Sequence, residues 1–81
     1  MKVLSSPHFK RNFKALPIET KKKFKKQIDF LLRNFRHPSL RCKKYDKEKD
    51  IWQARIDRYY RFYFLIKDNV YILLEIKPHP K

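Results

Sequence analysis

Two arginines, Arg55 and Arg61, stand in stretches where apolar and polar residues alternate, with Tyr60 and Tyr63 close by and Lys77-Pro78-His79 not far downstream. A guanidinium offers several N–H donors in a planar fork that fits a phosphate. A tyrosine ring stacks on a nucleobase, and an imidazole carries a proton near neutral pH. Basic and aromatic side chains interleaved on a sheet can contact phosphates and stack on bases. Each residue also has a plainer role. Arg55 can pair across strands with Glu75 or Asp57, a contact worth about 0.2–1 kcal/mol, and His79 lies between two prolines, where a solvated ring is common. Trp52 alternates inward and reads as core.

Other chemistries find little support. His8, His37 and His79 show no metal-ligand spacing, so no metal is expected. Asp29, Asp46, Glu48 and Asp50 form no paired-carboxylate site. Cys42 is the single cysteine, which excludes an internal disulfide and reads as a small half-buried residue. No small-molecule cofactor motif is present.

The elements that must hold these groups follow from two periodicities. Val3-Leu4 suggests a short first strand, and Ser6-Pro7 is an N-cap followed by a first-turn proline. Phe9, Phe13 and Leu16 share one face of a short helix. A second helix is expected over 18–35, with Phe24, Ile28, Leu31, Leu32 and Phe35 on its apolar stripe. Its outer side carries Lys21, Lys22, Lys23, Lys25 and Lys26, and the two helices should form an αα-hairpin. The pattern then switches to period two. Residues 40–44 form a candidate strand ending in the polar loop 46–50; Trp52, Ala54 and Ile56 alternate with Gln53, Arg55 and Asp57. Phe62, Phe64 and Ile66 alternate with Arg61, Tyr63 and Leu65. Lys67-Asp68-Asn69 marks a hairpin. Simple alternation then puts Val70, Ile72, Leu74 and Ile76 on one face and Tyr71, Leu73, Glu75 and Lys77 on the other. The expected fold is α+β, a single domain over 1–81 in which the helices cover one face of an antiparallel meander. The open face should present Arg55, Arg61, Tyr63 and Tyr71 together.

Charge agrees with that placement. The chain has 81 residues, with 22 Lys and Arg against 8 Asp and Glu, a formal +14. Such density repels itself and calls for a polyanionic partner, RNA first among them. Residues 1–40 hold 11 basic against 2 acidic residues (+9), and 41–81 hold 11 against 6 (+5), so the larger excess lies on the helices. No secretory h-region, membrane span or isolated amphipathic anchor is apparent, so a cytoplasmic location without membrane partners is expected.

The segments Phe9-Lys10-Arg11-Asn12-Phe13-Lys14-Ala15-Leu16-Pro17, His37-Pro38-Ser39-Leu40-Arg41, Asp50-Ile51-Trp52-Gln53-Ala54-Arg55-Ile56 and Tyr60-Arg61-Phe62-Tyr63-Phe64, in this order and spacing, resemble the RelE/ParE superfamily of toxin–antitoxin toxins. The likeness runs from the Phe9 region to Lys77. It implies a strand, two helices and a meander. For the RelE-like branch it implies a metal-independent, ribosome-dependent mRNA endonuclease in which the 2′-OH attacks the adjacent phosphate. By position, Arg61 matches the family's Tyr-Arg segment and Arg55 a basic residue on the preceding strand. Lys77 and His79 match basic or His positions after the last strand, and Lys44 is a looser match. The resemblance thus implies Arg61, Arg55 and His79 as catalytic groups. Lys44, Lys77, Tyr60, Tyr63, Lys22, Lys25 and Lys26 would contact RNA, and an acidic antitoxin, the ribosome and mRNA would be the partners. The family's glycine before Tyr-Arg is absent, since the chain reads Arg58-Tyr59-Tyr60-Arg61. Gln53 stands where such a ribonuclease often has a second lysine, and the chain ends at Lys81, ahead of a distal Arg and Tyr. A ParE-like gyrase poison, or a catalytically degenerate RNA-binding member, is the alternative expectation.

Overall fold

The structure is a computed structural model and describes residues 2–78. Strand β1 (Lys2–Ser5) leads into helix α1 (Pro7–Lys14), helix α2 (Ile18–Arg33) and a short 3-10 turn (Pro38–Leu40). Strands β2 (Lys43–Asp46), β3 (Ile51–Arg55), β4 (Tyr60–Lys67) and β5 (Val70–Pro78) follow. They form one five-stranded sheet in the order β1-β5-β4-β3-β2. Strands β2 to β5 are the expected antiparallel meander, and β1 joins the edge of β5 in parallel, making the sheet mixed.

Local chemistry sets the element ends. The Ser6 hydroxyl accepts from the Phe9 N–H at 3.0 Å while Pro7 occupies the first turn, as an N-terminal cap should. Helix α2 stops at Arg33, short of the expected Phe35. The Asn34 side chain accepts from Arg36 N–H at 3.0 Å, and Pro38 disfavours helical backbone at His37. The chain has no glycine, so its left-handed positions fall on Arg41, Asp50, Asp68 and Asn69. Asp68 and Asn69 tolerate that conformation and form the tight β4–β5 hairpin.

The core lies between the helices and the near face of the sheet. Leu31, Leu40, Phe62, Phe64 and Leu73 are its largest fully buried side chains, each worth roughly 1.5–3 kcal/mol on burial. Phe24 links the layers, touching Phe9, Phe13 and Phe62 edge-on or tilted at 5.3–5.4 Å between centroids. Two expectations for this region are corrected. Leu32 is 41% exposed, one position off the stripe that Leu31 occupies. Leu40 starts no strand, because it closes the 3-10 turn and buries itself in the core.

The last strand departs most from simple alternation. Tyr63 pairs with Glu75 and Phe64 with Leu73, so Leu74 is an extra residue, a β-bulge. Before the bulge Tyr71 and Leu73 face the helices; after it Ile76 does. Tyr71 is therefore core rather than part of the open face, and its hydroxyl donates to the Leu31 carbonyl at 3.3 Å. Val70, Ile72 and Leu74 take the opposite side, which separates them from Ile76. Helix α1 closes the exposed edge of this irregular segment. Ser6 Oγ donates to the Leu74 carbonyl at 3.0 Å, and Asn12 Oδ1 accepts from Ile76 N–H at 3.0 Å.

Candidate nucleic-acid interface

Strand register places Arg55 directly opposite Arg61, and Arg61 directly opposite Lys77. Three cations thus form a row across β3, β4 and β5 on the face away from the helices. The next row holds Lys43, Gln53, Tyr63 and Glu75. Tyr63 is covered there by Tyr45, with ring centroids 4.8 Å apart, and by Lys77, whose ammonium lies 5.6 Å from the ring centre. A cavity of about 320 Å³ opens between the rows, lined by Arg41, Lys43, Gln53 and Arg61.

The backbone anchors Arg61. One guanidinium nitrogen donates to the Asp57 carbonyl at 2.6 Å and to the Tyr60 carbonyl at 3.0 Å. Its other donors remain available, and its orientation is set before any ligand arrives. Partial burial lowers its pKa, and the like charge of Arg55, with that of Arg41, lowers it further. Among the described residues no carboxylate lies within ion-pair distance of Arg55 or Arg61. An anion bound here relieves that repulsion. Lys77 differs, because Glu75 accepts from it at 2.8 Å, and that hydrogen bond raises the lysine pKa. Burial raises the pKa of Tyr63, with Tyr45 adding to the shift.

A buried amide fixes the Arg55 end of the row. Gln27 of α2 donates to the Arg55 carbonyl at 2.8 Å and to the Ser39 carbonyl at 3.0 Å, and accepts from the Ser39 hydroxyl at 3.2 Å. This one side chain ties α2, the 3-10 turn and the end of β3 together. Beyond the turn Arg41 is left-handed (φ 47°), a conformation that costs a non-glycine residue about 1–2 kcal/mol.

The anticipated RNA contacts separate in space. Lys77 and Tyr63 join Arg55 and Arg61. Lys44 lies on the helix side, its ammonium 4.4 Å from the Trp52 ring centre and ion-paired with Asp50. Tyr60 is also on that side, packed against the core. Lys22 pairs with Glu19, Lys25 is exposed, and Lys26 borders a cleft beside the middle of α2. His79 lies outside the described residues. Arg41, Lys43 and Gln27 are the site residues that sequence patterning misses. Lys43 carried the only available signal, since it falls in phase with Gln53 once β2 is known.

No family model matches the chain, and no curated protein matches it. Solved structures do. The YoeB/ParE toxin from Agrobacterium tumefaciens superposes with a TM-score of 0.82 at 13% identity, covering 99% of this chain and 100% of that one. The chain has the RelE/ParE toxin fold. The YoeB dimer from Staphylococcus aureus gives a TM-score of 0.81 at 18% identity over 99% of this chain and 98% of that one. RelE of the archaeal RelE–RelB complex from Pyrococcus horikoshii gives 0.77 at 22% identity over 95% and 92%. The RelE/ParE fold therefore accounts for the strand, two helices and meander, including the parallel β1. Among the described residues, no helix is long and apolar enough to cross a membrane, and no three His, Cys, Asp or Glu side chains cluster as metal ligands.

Proposed function

We propose that this chain is a toxin of the RelE/ParE kind, and that it inhibits translation by cutting mRNA on the ribosome. The observation that carries the reading is the Arg55–Arg61–Lys77 row: two guanidiniums face each other without a carboxylate partner, on the open face of a fold shared with RelE and YoeB toxins. Arg61 holds the scissile phosphate with the donors its backbone anchor leaves free. Arg55 neutralises the charge that builds on the phosphate oxygens in the transition state. The RNA 2′-oxygen attacks phosphorus, the bond to the 5′-oxygen breaks, and the products are a 2′,3′-cyclic phosphate and a 5′-hydroxyl. One proton leaves the 2′-OH and another reaches the 5′-oxygen. His79, two residues beyond Lys77 in the chain, or a tyrosine beside the row would move the proton. This route balances without a metal or organic cofactor.

Neutralisation would come from an acidic antitoxin, as the RelE–RelB and YoeB–YefM complexes of structurally similar proteins suggest. Carboxylates on the cation row would compete directly with RNA, and the antitoxin segment would order as it binds. The lysine face of α2 would contact ribosomal RNA.

The test is in vitro translation followed by primer extension. New ribosome-dependent mRNA ends that disappear with Arg61→Ala support the proposal. Translation arrest without new ends overturns it, and inhibited DNA supercoiling with intact mRNA selects the gyrase-directed alternative.

A further inference from the structure

A second basic recess lies beside the row, around the end of β3. It is a cleft of about 530 Å³ between α2, the 3-10 turn and the residues that follow β3. Lys23, Lys26, Arg41, Arg55 and Arg58 line it against one acidic side chain, Asp57. That carboxylate is already engaged: it accepts from the N–H groups of Tyr59 and Tyr60 at 2.8 and 2.9 Å, and lies 3.8 Å from the Lys23 ammonium. Among the described residues, Arg41, Arg55 and Arg58 have no carboxylate within ion-pair distance.

Two features connect this cleft to the row. Arg55 belongs to both, and Arg41 lines both the cleft and the smaller cavity that contains Arg61. The left-handed backbone of Arg41 is an unfavourable conformation at this junction, and such strain tends to collect where a side chain must be aimed. Among the described residues no aromatic ring lines the cleft, and its apolar lining is limited to Pro38 and Ile56. It therefore offers charge and hydrogen bonds without a stacking platform or a broad greasy floor. An amphipathic protein segment would find little to bury there, whereas a sugar-phosphate backbone would find charged donors on several sides.

We infer that this cleft is a second phosphate subsite, which holds a neighbouring phosphate of the same single RNA strand whose backbone crosses the Arg55–Arg61–Lys77 row. The inference rests on the reading of the row as a phosphate site. Because the lining lacks rings, the subsite grips backbone and is indifferent to base identity. Sequence preference, if present, resides elsewhere.

The experiment uses the whole chain and an eight-nucleotide 2′-O-methyl RNA, which cannot be cleaved, with affinity measured as a function of salt. Each phosphate neutralised on a single strand contributes roughly 0.7 to the log–log salt slope. The double variant Lys26→Gln/Arg58→Gln removes two exposed cleft cations, of which Lys26 also lies 6.0 Å from the Phe30 ring centre. The expected result is a slope shallower by about 0.7 or more and an affinity at least about fivefold weaker at low salt. Lys10→Gln/Lys14→Gln removes the same charge from exposed positions on α1 and should change the slope by less than half as much. An unchanged slope in the cleft variant, or an equal change in the α1 variant, overturns the subsite. So does saturation of the cleft by poly-glutamate in a chain that does not bind the octamer. These measurements need neither ribosome nor cleavage, so a failed cleavage assay and a failed subsite are told apart.

Discussion

The cation row on the sheet and the lysine face of α2 are both basic, and they are built on different principles. Arg55, Arg61 and Lys77 sit on three paired strands, where register sets their spacing. Arg61 is further tied to two backbone carbonyls, and Arg55 comes from a strand end that Gln27 clamps. Lys22 and Lys25 sit on long exposed stems, and Lys22 is partly answered by Glu19 one turn away. The first arrangement concentrates repulsion that only an anion at a defined position can relieve. The second supplies a diffuse field that raises association without choosing a geometry. Charge placement, rather than charge count, is what distinguishes a candidate reaction centre from a docking face.

The strongest way to break the comparison is to remove the anchored arginine. Arg61→Ala should lower ribosome-dependent cleavage by about 100- to 1,000-fold, the usual cost of losing one transition-state donor, measured by primer extension at saturating ribosomes. A loss no larger than that of a helix lysine would erase the distinction.

Next in size is the reactivity of Cys42, which follows Arg41 at the end of the 3-10 turn. Burial pushes its thiol up to about 11 from an ordinary 9.0. At pH 8 its alkylation should run about a hundredfold slower than that of an unhindered thiol, because only the thiolate reacts. The sign of the stability effect follows from the raised value. Nothing is lost below the unfolded pKa, and stability falls as pH climbs from about 9 towards about 11, where the unfolded thiol ionises first. Fast alkylation at pH 8 would mean that the frame around the turn opens readily and the row is less fixed than its geometry suggests.

Gln27→Leu is the third test. It strands the Arg55 and Ser39 carbonyls without a donor, at a cost of about 1–3 kcal/mol for each buried polar group left unpaired. Thermal unfolding reads that loss, and the salt slope of RNA binding reads whether Arg55 has moved. The smallest effect belongs to Lys22→Gln/Lys25→Gln. It should raise the ribosome concentration needed for half-maximal cleavage a few-fold, with a smaller change in the saturating rate, in a titration at two ionic strengths.

Much of this arrangement was legible in the chain. Ser6-Pro7 marked the start of α1, and alternation from Trp52 to Ile56 and from Phe62 to Phe64 marked two strands and their inward faces. Asp68-Asn69 marked the hairpin, so Arg55 and Arg61 could be assigned to one open face. The facing pair itself needed the register, which depends on the turn around Asp57 and Arg58. Of three misplaced features, the first was open to the pattern and the other two were not. Lys44 and Tyr60 look like neighbours of the site in sequence, yet period two carries both to the opposite face, where Trp52 and the core receive them. Arg41 adopts a left-handed backbone that nothing in Leu40-Arg41-Cys42 announces. Tyr71 was misplaced because an insertion in a ladder leaves no mark on composition. Leu74 is as apolar as Ile72 and Leu73 before it.

That surplus residue has a consequence for how β5 serves two masters. Upstream of Leu74 the strand keeps time with the core, and downstream it keeps time with the cations, half a cycle apart. Deleting Leu74 would restore the beat without turning any later side chain over, since Ile76 would still point to the helices and Lys77 away from them. What would disappear is the local bend and extra twist that a bulge imposes. The deletion would leave every remaining residue on its proper side, remove the Leu74 carbonyl that Ser6 Oγ holds, and change the direction in which Lys77 points. The curvature of the scaffold can thus be altered apart from its wiring.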